Sequence, residues 1–401
     1  MSTNDRPADR FHVAFDGRID NREGLPGVTD SEKVLRAYQA WGDRAPDRLI
    51  GDFAFAIWDR TERQIFAARD FLGVRPFYYF WDGRTFLFAS DIATLLSDDR
   101  VPRTLNEGMA AEHLAGQITN REETLYAAIR RLPPGHLLRI SDKGLRLARW
   151  FSLDSREPFR YRRDEEVQTH LRSLLTEAVR ARMPSNAPVG AYLSGGLDSC
   201  SVAAVAASQG KISAYSISFP GRECDETPLI EELHRRWEIP GEIVREPAPE
   251  LESYVRAAEH TRQFPGYPNG AVLAPLDRCA RRDGIRVILT GMGGDEWFMG
   301  SPPPRPLDWL RRMRPRRTTI PSWIDPGFAA RVGLTDRIES GPAVRGIYST
   351  FSNGGSVHAL EMQSLCQQQA GLEYRHPLSD RRIVEFALSL PEEAAFRRRG
   401  G

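Results

Sequence analysis

From residue 10 to about residue 150, short runs of aromatic and β-branched residues alternate with turn residues, as in Gln64-Ile65-Phe66-Ala67-Ala68 and Thr85-Phe86-Leu87-Phe88-Ala89 after an Asp82-Gly83 turn. This pattern predicts an antiparallel-sheet domain carrying one helix over Ser31–Ala40. Near residue 165 the pattern changes. A helix over Glu165–Arg182 is followed by a short apolar strand at Gly190–Leu193, a small-residue helix, a strand over Ile212–Phe219 and a buried strand over Arg286–Thr290. Strands alternating with helices argue a parallel sheet. Two domains are therefore expected, an α+β unit over residues 1–150 and an α/β unit over residues 165–401.

The densest chemistry lies at Ser194-Gly195-Gly196-Leu197-Asp198-Ser199, between a strand and a helix. Paired glycines let backbone N–H groups approach an anion, and the following helix N-terminus adds partial positive charge. Ser194 and Ser199 offer hydroxyls to phosphate oxygens, and Asp198 among them makes sense as a magnesium ligand. A plain small-residue turn is the alternative. No Gly-x-x-x-x-Gly-Lys-Ser/Thr occurs, and Gly291-Met292-Gly293 lacks the spacing of a dinucleotide fingerprint, so the loop suits splitting of ATP to AMP and pyrophosphate.

The Arg286–Thr290 strand leads into Gly291-Met292-Gly293-Gly294-Asp295-Glu296, expected as a flexible loop tipped by two carboxylates. Ligands of open α/β sheets gather at strand carboxyl ends, which would bring Asp198 and Asp295 to one magnesium ion. A solvated turn is the other reading of Asp295 and Glu296. Asp198, Asp295 and Glu296 are the expected catalytic carboxylates. Leu193, Thr290 and Gly291 complete the nucleotide-binding set, and Ile217 is expected to line the adenine pocket.

Charge narrows the partners. Lys and Arg total 55 against 54 Asp and Glu, a net charge of +1, so no global field favours nucleic acid or a membrane surface. No apolar run is long enough to span a bilayer, and the polar Met1–Arg10 segment is unlike a signal peptide, so a cytoplasmic location is expected. Cys200, Cys224, Cys279 and Cys366 lack zinc-ligand spacing and are expected as reduced thiols. His376, before Pro377, is expected to be structural. Residues 301–320, rich in Pro and Arg, read as a mobile surface loop whose arginines suit a peptide carboxylate better than RNA.

Together with Leu289–Glu296 and Tyr374-Arg375-His376-Pro377-Leu378-Ser379-Asp380, the Ser194–Ser199 loop resembles the asparagine-synthetase superfamily. The first half resembles its glutaminase portion through Gly51–Asp59 and Ala68–Tyr79, and Arg131-Leu132-Pro133-Pro134-Gly135-His136 resembles its inter-domain connector. The resemblance implies an Ntn glutaminase-like sheet domain followed by an adenine-nucleotide α-hydrolase-like synthetase domain, with ATP and Mg2+ as cofactors.

Departures from the family pattern direct the functional expectation. Family glutaminases use a cysteine after the initiator methionine and an asparagine before glycine at the oxyanion site; this chain has Ser2, expected outside any strand, and Asp16 before Gly17. A carboxylate there repels a developing oxyanion. The family also carries a lysine beyond the segment Glu385–Leu388, whereas this chain ends at Arg397-Arg398-Arg399-Gly400-Gly401, as expected for a truncated product or a differently placed cation.

Met292 stands where β-lactam synthetases of the superfamily have a basic-dyad tyrosine. The resemblance then implies a lasso-type macrolactam cyclase acting on a linear precursor peptide, with a leader-binding protein and a leader peptidase as partners. Asparagine synthesis from ammonia, β-lactam-type ligation and a nonenzymatic ATP- or peptide-binding subunit are the alternatives.

Overall fold

The computed structural model describes residues 2–3, 10–21, 24–152, 161, 163–185, 187–245, 251–265, 270–298, 320–340 and 353–390. The expectations for residues 301–319 and for the terminal arginines lie outside these residues. Among the described residues no helix is long and apolar enough to cross a membrane, and all four cysteines are free thiols.

The first domain is built on a sheet of β1 (Ser2–Thr3), β2 (Phe11–Ile19), β3 (Gly51–Asp59), β4 (Gln64–Arg69), β8 (His136–Ser141) and β9 (Gly144–Arg149), neighbours in that order and all antiparallel. A smaller sheet, β6 (Phe86–Ala89), β5 (Tyr78–Trp81) and β7 (Ile129–Arg131), covers one of its faces. Alternation in β3 explains the layering. Phe53, Phe55 and Ile57 meet Val34 and Ala37 of the helix Asp30–Trp41, while Ala54 and Ala56 face Phe77, Tyr79 and Leu132. The small alanines leave room for that aromatic layer. The helix starts on a capping box, with Thr29 Oγ1 accepting the Glu32 N–H at 3.2 Å and Glu32 Oε2 accepting the Thr29 N–H at 3.2 Å.

Two expectations are corrected here. Ser2–Thr3 forms a short strand against Ala14 and Phe15, because the edge of β2 offers free backbone partners whatever the residue at position 2. The Arg131–His136 segment is not an inter-domain connector. It joins β7 to β8 inside the first domain, and the chain crosses to the second only between Arg149 and Asp164. Pro-Pro-Gly ends a strand equally well in a linker or at a change of sheet.

The second domain holds a parallel five-stranded sheet ordered β12 (Gly241–Arg245), β11 (Ile212–Ser218), β10 (Val189–Tyr192), β13 (Val287–Leu289), β14 (Glu373–Arg375). Helices Asp164–Arg182, Leu197–Gln209 and Thr227–Trp237 bury one face through Val179, Ala203 and Ile230. Helix Gly270–Arg282 covers the other through Leu276 and Ala280, against Tyr215, Ile288 and Tyr374. The order reverses between β10 and β13. The carboxyl ends beside such a reversal are where open α/β sheets bind their ligands.

The two domains are joined by a buried polar interface. Glu361, fully buried on the helix Gly354–Gln369, forms ion pairs with Arg69 at 2.9 Å and Arg131 at 3.2 Å and accepts the Tyr78 hydroxyl at 2.8 Å. Arg75 donates to Glu373 at 2.9 Å, and Arg182 bridges Asp20 at 3.3 Å and Asp380 at 2.5 Å. Leu72 and Val74 pack on Trp297, Leu360 and Val384 beside these charges.

Candidate functional site

The two loops expected to converge do so. β10 and β13 are direct parallel neighbours, with Ala191 opposite Leu289, so the segments leaving them start side by side. The Asp295 N–H donates to Asp198 Oδ2 at 2.9 Å, and the Thr290 N–H donates to the Arg375 carbonyl at 3.0 Å, tying the second loop to β14.

The first loop is organised by its serines. Ser199 Oγ accepts the Ser194 N–H at 3.1 Å and lies 2.9 Å from Ser194 Oγ, closing the turn across the glycines. Gly195 has φ +77°, a left-handed conformation that side-chain-bearing residues rarely adopt. Gly196 is the N-cap of the helix Leu197–Gln209, and no side chain caps that end. Its first-turn N–H groups and dipole therefore face the crevice, ready for an anion. Ser194 is exposed, whereas Ser199 is buried and serves chiefly to hold the turn.

The second loop is less flexible than its glycines suggest. Gly294–Phe298 forms a short helix, with the Gly294 N–H donating to the Gly291 carbonyl at 3.4 Å. Glu296 is not at a tip. Its Oε2 folds back to accept the Gly293 N–H at 2.9 Å, leaving Asp295 as the exposed carboxylate. The glycines serve close approach rather than mobility: a Cβ on Gly294 would lie 1.9 Å from Asp198 Cγ. Gly294→Ala is therefore expected to displace the Asp198 carboxylate and to lower ATP-dependent turnover about a hundredfold, the usual result of misplacing a reacting group by about 1 Å. AMP release together with a melting curve checks this, because a large loss of stability would shift the explanation to the fold.

Burial, then the charges of Asp295 and Glu296, raise the Asp198 pKa above its usual value, opposed by the Asp295 N–H. Such crowding calls for a cation. Among the described residues no three His, Cys, Asp or Glu side chains gather as a self-sufficient metal site. Two hard oxygen donors beside an anion-binding turn nevertheless fit magnesium, which usually takes one or two carboxylates and completes its shell with water and phosphate.

The remaining expected residues fall into place differently. Leu193 is buried in the core, so it contributes backbone only. Its N–H donates to the Tyr215 carbonyl at 3.1 Å, which places Ile217 near the carboxyl end of β11, one strand from the turn; the Ile217 side chain packs with the cluster containing Tyr215 and Leu273. Thr290 is a support: its Oγ1 lies 2.7 Å from His376 Nδ1 and accepts the Met292 N–H at 3.3 Å. Burial lowers the His376 pKa to about 4, so this histidine is a neutral hydrogen-bonding brace. The Thr290–His376 pair has no local sequence signal, since the partners follow different strands.

In the first domain Asp16 Oδ2 accepts the Ser90 hydroxyl at 2.6 Å, and Arg75 lies 3.8 Å from Oδ1. Met292 packs against the inter-domain apolar cluster of Leu72, Val74 and Trp297.

Comparison with known proteins places these features in context. The family described as "Asparagine synthase" matches residues 170–401, and "Glutamine amidotransferase domain" matches residues 18–151. "Asparagine synthetase (glutamine-hydrolyzing) 3" of Bacillus subtilis is 26% identical over 437 residues, covering 96% of this chain and 70% of its own length. "Putative asparagine synthetase (glutamine-hydrolyzing) 2" of Methanocaldococcus jannaschii is 29% identical, with 68% of this chain and 54% of that protein covered. "Amidase chry2" of Gibberella zeae is 28% identical, with 68% and 43% covered. This chain thus spans only about half the length of two of these three relatives.

Proposed function

The chain belongs to the asparagine synthase family, and from that premise we propose that it is an ATP-dependent, AMP-forming amide ligase that joins a carboxylate to an amine of the same substrate molecule. The observation that carries this reading is the meeting of Asp198 with the Asp295 backbone beside an uncapped helix N-terminus. Backbone N–H groups of Gly195 and Gly196 and the Ser194 hydroxyl receive the departing pyrophosphate. Asp198 and Asp295 would hold magnesium, which when bound would neutralise phosphate charge. A substrate carboxylate attacks the α-phosphate of ATP, pyrophosphate leaves, and the amine displaces AMP from the resulting acyl-adenylate.

The amine donor is assigned to the substrate, a linear peptide closing to a macrolactam, on two grounds. Asp16 puts negative charge where glutamine hydrolysis needs oxyanion donors, and its carboxylate is already engaged by Ser90. Met292 offers no base, and a peptide α-amine needs little help: its reference pKa of about 7.7–8.0 leaves on the order of a tenth neutral at pH 7. Holding both groups in one molecule lowers the barrier by up to roughly 7–11 kcal/mol. A leader-binding protein and a leader peptidase are the partners proposed to deliver the peptide.

Asparagine synthesis is the second reading, favoured by the names of two of the relatives. One experiment separates them: mass spectrometry of candidate core peptides, or of aspartate with ammonia, incubated with the protein, its proposed partners and Mg-ATP. A peptide lighter by one water with matching AMP supports the cyclase. Asparagine with matching AMP overturns it in favour of the second reading, and absence of AMP from both overturns the ligase itself.

A further inference from the structure

On the sheet face away from the helix Leu197–Gln209, a cavity of about 420 Å3 lies between helices Leu251–Thr261, Gly270–Arg282 and Gly354–Gln369. Its volume falls within the roughly 300–1,000 Å3 usual for small-molecule sites. Tyr254, Ala257, Leu273, Ala274, Met362 and Ala370 give it apolar walls. Among the described residues, the one carboxylate in the lining is Asp277, flanked by Arg278 and Arg281.

Asp277 is held in a fixed geometry. Its Oδ1 accepts the hydroxyls of both Tyr192 and Tyr374, which lie 2.8 Å apart, so the orientation is set from the sheet. Oδ2 has no hydrogen-bond partner among the described residues, and burial raises the pKa of this carboxyl despite the opposing Tyr192 and Tyr374 hydroxyls and the Arg278 charge, so a further cationic donor is welcome. Arg281 is committed to the Ala370 carbonyl, whereas Arg278 is exposed at the lining. An anion-free cation would meet two arginines here, and a simple carboxylate would meet Asp277. A molecule with both charges and an apolar body satisfies all three features.

We propose that this cavity is a binding site for a free apolar amino acid, with Asp277 taking the α-ammonium, Arg278 the carboxylate, and the apolar walls the side chain. The site is separate from the phosphate-binding crevice and does not depend on the ligase reading. It lies close to that crevice in the chain, because Tyr192 directly precedes Leu193 and Ser194, and Tyr374 directly precedes Arg375, whose carbonyl holds Thr290.

The test is calorimetric titration of the full chain with L-phenylalanine, phenethylamine, which lacks the carboxylate, and hydrocinnamate, which lacks the amine. L-Phenylalanine is expected to bind saturably and about tenfold or more tighter than either analogue, the size of one charge-assisted contact. Asp277→Asn is expected to weaken L-phenylalanine and phenethylamine about tenfold and to spare hydrocinnamate. Arg278→Ala should weaken L-phenylalanine and hydrocinnamate but spare phenethylamine. Ala274→Trp, which puts a large ring into the cavity from its helical wall, should abolish all three. ATP binding measured on each variant verifies folding. No saturable binding of L-phenylalanine to the wild-type chain, or binding that survives both Asp277→Asn and Ala274→Trp in folded protein, would overturn the proposal.

Discussion

Glu361→Leu is expected to destabilise the protein by about 3–5 kcal/mol, the usual result of removing one partner from a buried ion pair. The size follows from what remains. Arg69 and Arg131 are both essentially excluded from solvent, and Glu361 is the only acid ion-paired to either among the described residues. Arg69 keeps carbonyl acceptors from Gly73, Arg75 and Leu132, but Arg131 has no hydrogen-bonded side-chain nitrogen on Nε or Nη1 beyond its ion pair. Arg131 would therefore be left as an uncompensated charge at the junction of the domains. The Tyr78 hydroxyl also loses its 2.8 Å acceptor and keeps only its contact with Gln263 at 3.3 Å.

Chemical denaturation monitored separately in each domain checks the prediction. Because Glu361 comes from the second domain and its partners from the first, Glu361→Leu should uncouple the two transitions as well as lower the midpoint. Tyr78→Phe is the control: it removes one hydrogen bond and no charge, and should cost about 1 kcal/mol. Equal losses from the two variants would show that packing, not the buried charges, dominates this junction.

The elements inside each domain were legible because their causes are local. Strand β3 announces itself through aromatic residues alternating with alanine, and the turn at Asp82 through a side chain that accepts the Arg84 and Thr85 N–H groups at 2.8 and 2.6 Å. The phosphate-binding turn was legible for the same reason, since serines, glycines and helix start lie within six positions. Contacts such as Tyr78–Glu361 and Arg75–Glu373 leave no such trace. Their partners are 283 and 298 residues apart, and each residue alone reads as surface charge or core aromatic.

Glycine was the ambiguous signal. In Gly291–Gly294 it read as flexibility, and the structure uses it to let backbone press against Asp198. Spacing alone does not separate these two uses, because both need only the absence of a Cβ.

Asp198→Asn is expected to lower ATP-dependent AMP formation by about 10²–10³-fold, as removal of one preorganised charge-stabilising group does elsewhere. Asparagine retains an oxygen for the Asp295 N–H, so the 2.9 Å tie between the loops can persist and the fold should be unaffected. What is lost is one of three neighbouring negative charges, in a place where burial first, and then the charges of Asp295 and Glu296, hold the Asp198 pKa above its usual value. The apo protein should therefore be no less stable than wild type, since relief of like-charge crowding offsets the lost charge-assisted bond. Nucleotide affinity measured with and without magnesium separates the two contributions. If Asp198 works through the cation, Asp198→Asn should bind ATP alone about as well as wild type but lose most of the gain magnesium gives. An equal loss in both conditions would instead assign Asp198 to shaping the Ser194–Ser199 turn, and unchanged turnover would remove it from the chemistry altogether.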